Sequence, residues 1–136
     1  FVTRPRTGLI ASVDDVRATI GDPAACLINA LDPDEFAGRP PQRYARAGRI
    51  PDSVNVPFST TVDLQTQFFS DDAALRQQFE DVGALDKERV VAYCGGAIAA
   101  SNTVFALTRL GVDNVTLYDG SLTEWTSDPE LPMETG

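Results

Sequence analysis

The chain of 136 residues contains no histidine. That absence excludes Ser-His-Asp and Cys-His nucleophile pairs and imidazole metal sites, as long as the chain acts alone. Cysteine is scarce, with only Cys26 and Cys94. Two thiols make no disulfide framework and cannot close a tetrahedral zinc site, so neither a metal nor another cofactor is expected. Basic residues are outnumbered, eleven Lys and Arg against twenty Asp and Glu, for a net charge of −9. This excess argues against attraction to nucleic acid or to an anionic membrane surface, and any anion must be bound by a local site. No run approaches the ~18 apolar residues of a membrane span. No apolar signal-peptide segment follows Arg4 and Arg6. Free thiols without an export signal make a reducing cytoplasm the expected compartment.

A hydrophobic content of 43% supplies material for a core. The length suits one domain at roughly 100–200 residues each. Residues 1–8, which include Arg4-Pro5-Arg6, are expected to be an arm or the remnant of a linker ahead of a domain over 9–136. Short apolar runs bounded by breakers predict strands at 25–30, 90–93 and 114–118, with shorter ones at 9–10 and 54–56. Helical patterns lie between them. Ser12 is positioned to cap a helix over 13–20, stopped by Gly21. Ser70 or Asp71 opens a second helix carrying Leu75, Phe79 and Val82, and a third spans 99–110 with Ala100, Val104 and Leu107 on its apolar face. Strands alternating with helices predict an α/β domain of three layers, a mainly parallel central sheet with helices on both faces. Ligands in such sheets gather at the carboxyl ends of strands, which directs attention to the loops after Ala30, Tyr93 and Tyr118.

The loop after Tyr93 carries the strongest chemical signal. It reads Cys94-Gly95-Gly96-Ala97 and runs into the helical segment Ile98-Ala99-Ala100. Small residues let the backbone curl and turn its N–H groups toward one point, at the amino end of the following helix. Such a cradle favours a thiolate over a thiol and can hold a transferred anionic group without any imidazole. The bland reading is an inert small hydrophobe beside a tight turn.

Flanking segments add weight. Gly48-Arg49-Ile50-Pro51-Asp52-Ser53-Val54-Asn55-Val56-Pro57 resembles the Gly-His-Ile-Pro-Gly-Ala-x-Asn-hydrophobic-Pro signature of the rhodanese superfamily. Leu27-Ile28-Asn29-Ala30-Leu31 stands where that family has its Leu-hydrophobic-Asp-x-Arg strand end, and Tyr93 to Ala100 is similar to its active-site loop. The segments Tyr118-Asp119-Gly120-Ser121 to Trp125 and Asp128 to Gly136 resemble the closing part of catalytic second domains in tandem thiosulfate or 3-mercaptopyruvate sulfurtransferases. The resemblance implies a rhodanese-like domain that moves a sulfane sulfur from a small anionic donor, thiosulfate or 3-mercaptopyruvate, to cyanide or a thiol. Cys94 would be nucleophile and persulfide carrier, with loop amides from Gly95 to Ala100 (Gly95, Gly96, Ala97, Ile98, Ala99, Ala100) binding the transferred group. A second rhodanese domain is implied as a partner. The phosphatase branch of the fold carries a longer loop ending in an arginine; here Ala100 and Ser101 stand at that place.

Departures from the family pattern keep an alternative open. The strand-end Asp and Arg are Asn29 and Leu31, the family's histidine is Arg49, and the usual loop glycine is Ala97. A binding or regulatory module without efficient turnover is the second reading, and a redox sensor acting through Cys94 the third. Arg39, Arg43, Arg46 and Arg49 lie close together on a Pro-rich loop. Arg43 and Arg46 are the candidates to replace the missing anion ligand, against a solvated loop as the plain alternative. Asp119 and Ser121 are expected to orient loops, Trp125 to pack in the core, and Cys26 to be buried.

Overall fold

In a computed structural model, which describes residues 8–136, the expected arm lies outside the described part except for Gly8. Four strands form one parallel sheet: β1 (Ala25–Asn29), β2 (Ser53–Asn55), β3 (Arg89–Tyr93) and β4 (Val115–Leu117), in the order β2-β1-β3-β4. Strand β1 pairs with β3 along its whole length, from Ala25 opposite Arg89 to Asn29 opposite Tyr93. These central strands are nearly uninterrupted apolar runs because both of their faces are covered. Alternate residues serve opposite sides. Leu27, Val91 and Tyr93 join one cluster with Val16, Leu122 and Trp125, while Cys26, Ile28 and Val90 join another with Leu75, Phe79 and Leu107. The expected three-layer α/β arrangement follows, with helices α1 (Val13–Arg17) and α6 (Ser121–Trp125) on one face, and α4 (Asp72–Asp81) and α5 (Ile98–Arg109) on the other.

The helix ends follow from their caps. The Ser12 hydroxyl accepts from the Asp15 amide while the Asp15 carboxylate accepts from the Ser12 amide, a capping box. Helix α1 then stops short of the expected Ile20, since Thr19 and Ile20 tighten into bonds to the carbonyls of Val16 and Arg17. Of the two candidates for the second cap, Asp71 holds the Ala74 amide at 2.8 Å. On α5 the buried residues are Ala100, Thr103, Ala106 and Leu107, with Val104 at the margin. Residues 9–10 do not form a strand. Ile10 makes one bridge to Leu117, whose amide donates to the Leu9 carbonyl and whose carbonyl accepts from the Ala11 amide. Two one-turn helices, α2 (Pro33–Phe36) and α3 (Phe58–Thr61), stand in segments without helical periodicity.

The topology places the site. From β1 the chain moves outward to β2 on one side, and from β3 outward to β4 on the other. The carboxyl ends of β1 and β3 therefore flank a crevice at the switch point, where α/β sheets bind ligands. Residues Leu31 and Cys94 emerge there. Between the sheet and α4, Leu75 and Phe79 are completely buried. Replacement Phe79→Ala is expected to lower the unfolding free energy by about 3–5 kcal/mol, read as a shift of the urea midpoint; an unchanged midpoint would contradict this packing.

Candidate active site

Strand β3 ends at Tyr93, and Cys94 is the first residue of the loop into α5. One side chain organises that loop. The Ser121 hydroxyl accepts from the Cys94 amide at 3.1 Å and the Ala97 amide at 3.3 Å, and donates to the Tyr118 carbonyl at 2.9 Å. Further bonds run from the amides of Leu122 and Thr123 to the carbonyls of Cys94 and Gly95, and from the Thr123 hydroxyl to the Gly95 carbonyl. Both partners in the central contact adopt left-handed backbone, Ala97 at φ 67° and Ser121 at φ 50°. Such a conformation costs a non-glycine residue about 1–2 kcal/mol, and tertiary bonds hold it in place here.

The loop amides divide into two groups. Those of Cys94 and Ala97 meet Ser121, and that of Ile98 meets the Gly96 carbonyl. The amides of Gly95, Gly96, Ala99 and Ala100 make no hydrogen bond among the described residues. The expected anion cradle is thus narrower than the whole stretch from Gly95 to Ala100, because the amides of Ala97 and Ile98 are already engaged. Cys94 packs against Ala30, Ala92 and Ala100 and borders a shallow cleft of about 300 Å³. Gly95, Gly96, Ile98 and Ala99 line it together with Leu31, Tyr44, Phe58 and Asn102. A side chain at Gly95 is impossible without movement, since its Cβ would overlap the Tyr44 hydroxyl. Burial is the main influence raising the Tyr44 phenol above its ordinary range, followed by the nearby Glu35. Cys26 lies near the start of β1, toward the other end of the strands from Cys94, and is buried, with its thiol pushed up to about 11 by desolvation.

The arginine loop takes a different course from the one expected. Arg46 does not reach the cleft. Its guanidinium donates to the carbonyls of Trp125, Thr126, Asp128 and Leu131. Charged hydrogen bonds contribute ~1.5–3 kcal/mol each, so releasing four of them costs more than one contact to a donor anion returns. Arg43 is also absent from the cleft wall. Its side chain is exposed, with Nε 3.3 Å from Glu35 Oε1, an ion pair without hydrogen-bond alignment. Arg49 is buried and structural. It stacks on Phe36 and donates to the Gly136 carbonyl and the Glu134 carboxylate. Trp125 is fully buried, its Nε1 donating to the Pro132 carbonyl. Sequence reasoning missed Tyr44, Phe58 and Asn102 as cleft residues, because irregular backbone and a one-turn helix bring the first two there.

A rhodanese-like domain model matches residues 12–128. The chain belongs to the rhodanese-like domain family. Among relatives of this rhodanese-like domain, thiosulfate/3-mercaptopyruvate sulfurtransferase 1, mitochondrial, of Arabidopsis thaliana is 34% identical over 99% of this chain and 36% of its own length. Thiosulfate/3-mercaptopyruvate sulfurtransferase 2 of the same organism is 34% identical over 98% of this chain and 39% of its own. The chain thus spans well under half of either relative. The crystal structure of Tum1 protein from Saccharomyces cerevisiae superposes with a TM-score of 0.76 at 26% identity, covering 92% of this chain and 46% of that one.

Two substitutions test the geometry. Arg46→Ala is expected to cost about 3 kcal/mol or more in urea unfolding; an anion-ligand role would instead leave the midpoint in place and raise a donor KM. Ala97→Gly relieves the left-handed strain against glycine's own entropy cost, and a gain of up to about 1 kcal/mol is expected by the same measurement. A loss would show that the Ala97 methyl group is itself needed.

Proposed function

We propose that this rhodanese-like domain is a sulfurtransferase in which Cys94 carries the sulfur as a persulfide. The observation that carries the reading is Cys94 at the carboxyl end of β3, beside a cleft and in a loop whose Gly95, Gly96, Ala99 and Ala100 amides have no partner among the described residues. The names of the Arabidopsis relatives support the reaction class and its donors. The Cys94 thiolate attacks the outer sulfur of a sulfane donor. With thiosulfate, the S–S bond breaks, its electron pair leaves on sulfite, and the transferred sulfur stays on Cys94 with the negative charge. Free loop amides stabilise that charge as hydrogen-bond donors already in position. Cyanide or a thiol then attacks the terminal sulfur, and the Cys94 thiolate returns. Donor and acceptor thus use one site in turn, the pattern of ping-pong kinetics.

No imidazole takes part, in keeping with the composition. The relatives' greater length supports a second domain of the same family as a partner, and the two free thiols support a reducing compartment such as the cytoplasm. One observation favours a second reading, a binding or regulatory module: Leu31 stands where the family pattern has arginine, and among the described residues no cationic side chain lines the cleft. Intact-mass measurement separates the two. Incubation with sulfane donors is expected to add the mass of one sulfur atom to the wild type and none to Cys94→Ser. No gain from any donor would remove the enzymatic reading and leave the module.

A further inference from the structure

We infer that the Cys94 cleft selects sulfur donors whose sulfane sulfur is carried on an apolar or aromatic body with a single negative charge, in preference to thiosulfate. The inference rests on the sulfur-transfer reading above and assigns its substrate class. Its basis is the cleft wall, which holds Leu31, Phe58, Ile98 and Ala99 and, among the described residues, no lysine or arginine. Arginines close in sequence are engaged elsewhere: Arg39 with Asp34, Arg43 with Glu35, Arg46 with four carbonyls and Arg49 with Glu134. The polar side chains on the wall are neutral. Tyr44 and Asn102 each present an uncharged group, and neither side chain has a hydrogen-bond partner among the described residues.

Free loop amides suit one anionic sulfur. The second charge of thiosulfate, spread over its sulfonate oxygens, would lie against Leu31 and Phe58 and lose water without gaining a cation. The protein's net charge of −9 opposes a dianion more than a monoanion. An aromatic body instead covers apolar surface that water now meets, including Ile98, whose side chain is 84% exposed at the start of α5. An arenethiosulfonate fits this description. The Cys94 thiolate attacks its outer sulfur, the S–S bond breaks, and the electron pair leaves on the arenesulfinate. Cys94 retains the sulfur as an anionic persulfide, cyanide removes it as thiocyanate, and no outside oxidant or reductant enters.

The test compares benzenethiosulfonate with thiosulfate in steady-state transfer to cyanide. Each kcat/KM is divided by that donor's rate with a free low-molecular-weight thiol, so that intrinsic reactivity cancels. The expected normalised ratio favours benzenethiosulfonate by about tenfold or more. Leu31→Arg is expected to raise thiosulfate use and to reduce the ratio by a similar factor. Ile98→Arg places a cation at the exposed mouth and gives the same direction should the first variant fold poorly. Thiosulfate turnover by the wild type should also rise with ionic strength, because added salt screens repulsion. A normalised ratio near or below unity, with sulfur loaded on Cys94 by both donors, overturns the inference and leaves sulfur transfer intact. Absence of sulfur on Cys94 from either donor, by intact mass, overturns sulfur transfer and the inference together.

Discussion

The Ser121 hydroxyl is the contact on which the site depends. It joins the loop after β3 to the turn after β4, taking two amides from one and giving its proton to a carbonyl of the other. Buried and fully engaged, it leaves none of these groups unpaired in an interior where an orphan costs ~1–3 kcal/mol. Its consequence is a division of labour among amides. Those of Cys94 and Ala97 are tied down, which bends the loop into the left-handed turn at Ala97, while those of Gly95, Gly96, Ala99 and Ala100 have no partner among the described residues. Strain at Ala97 and Ser121 is thus localised beside Cys94, supported by the packed ends of two strands.

The same logic governs charge. In a protein with so few cations, the basic loop between α2 and β2 looks like an anion site, and its arginines instead hold the chain together. Arg46 gathers the carbonyls that follow α6, and Arg49 fixes the last residues of the chain beside Phe36. The planar five-donor guanidinium suits this task, since carbonyls at the end of a short helix have no partners of their own. Among the described residues, what remains at the cleft is a neutral wall, where the loop amides and two uncharged side chains are the polar groups. Electrostatics here comes from the backbone.

Much of the fold was legible in the residues. Apolar runs of strand length, Ser12 and Asp71 as caps, and Gly83 and Gly111 as stops each express a local rule, and local rules are written in adjacent residues. The limits of legibility were equally local. Pro33–Phe36 and Phe58–Thr61 are too short for periodicity to register, and residues 9–10 are held by a neighbouring strand that their own pattern does not name.

For the site, the sequence by itself pointed to Cys94, the nucleophile we propose. Without histidine, a cysteine followed by small residues between strand and helix is the arrangement that can set backbone amides around a sulfur. It also determined the order of strands and helices, because burial on both sheet faces demands continuous apolar runs. Tertiary structure alone decided which amides remain free, which arginines are engaged, and that Tyr44 stands against Gly95. The physical reason is range. Hydrogen bonds and ion pairs saturate, and their partners here lie far apart in the chain, so a residue's availability depends on what the fold has already brought to it.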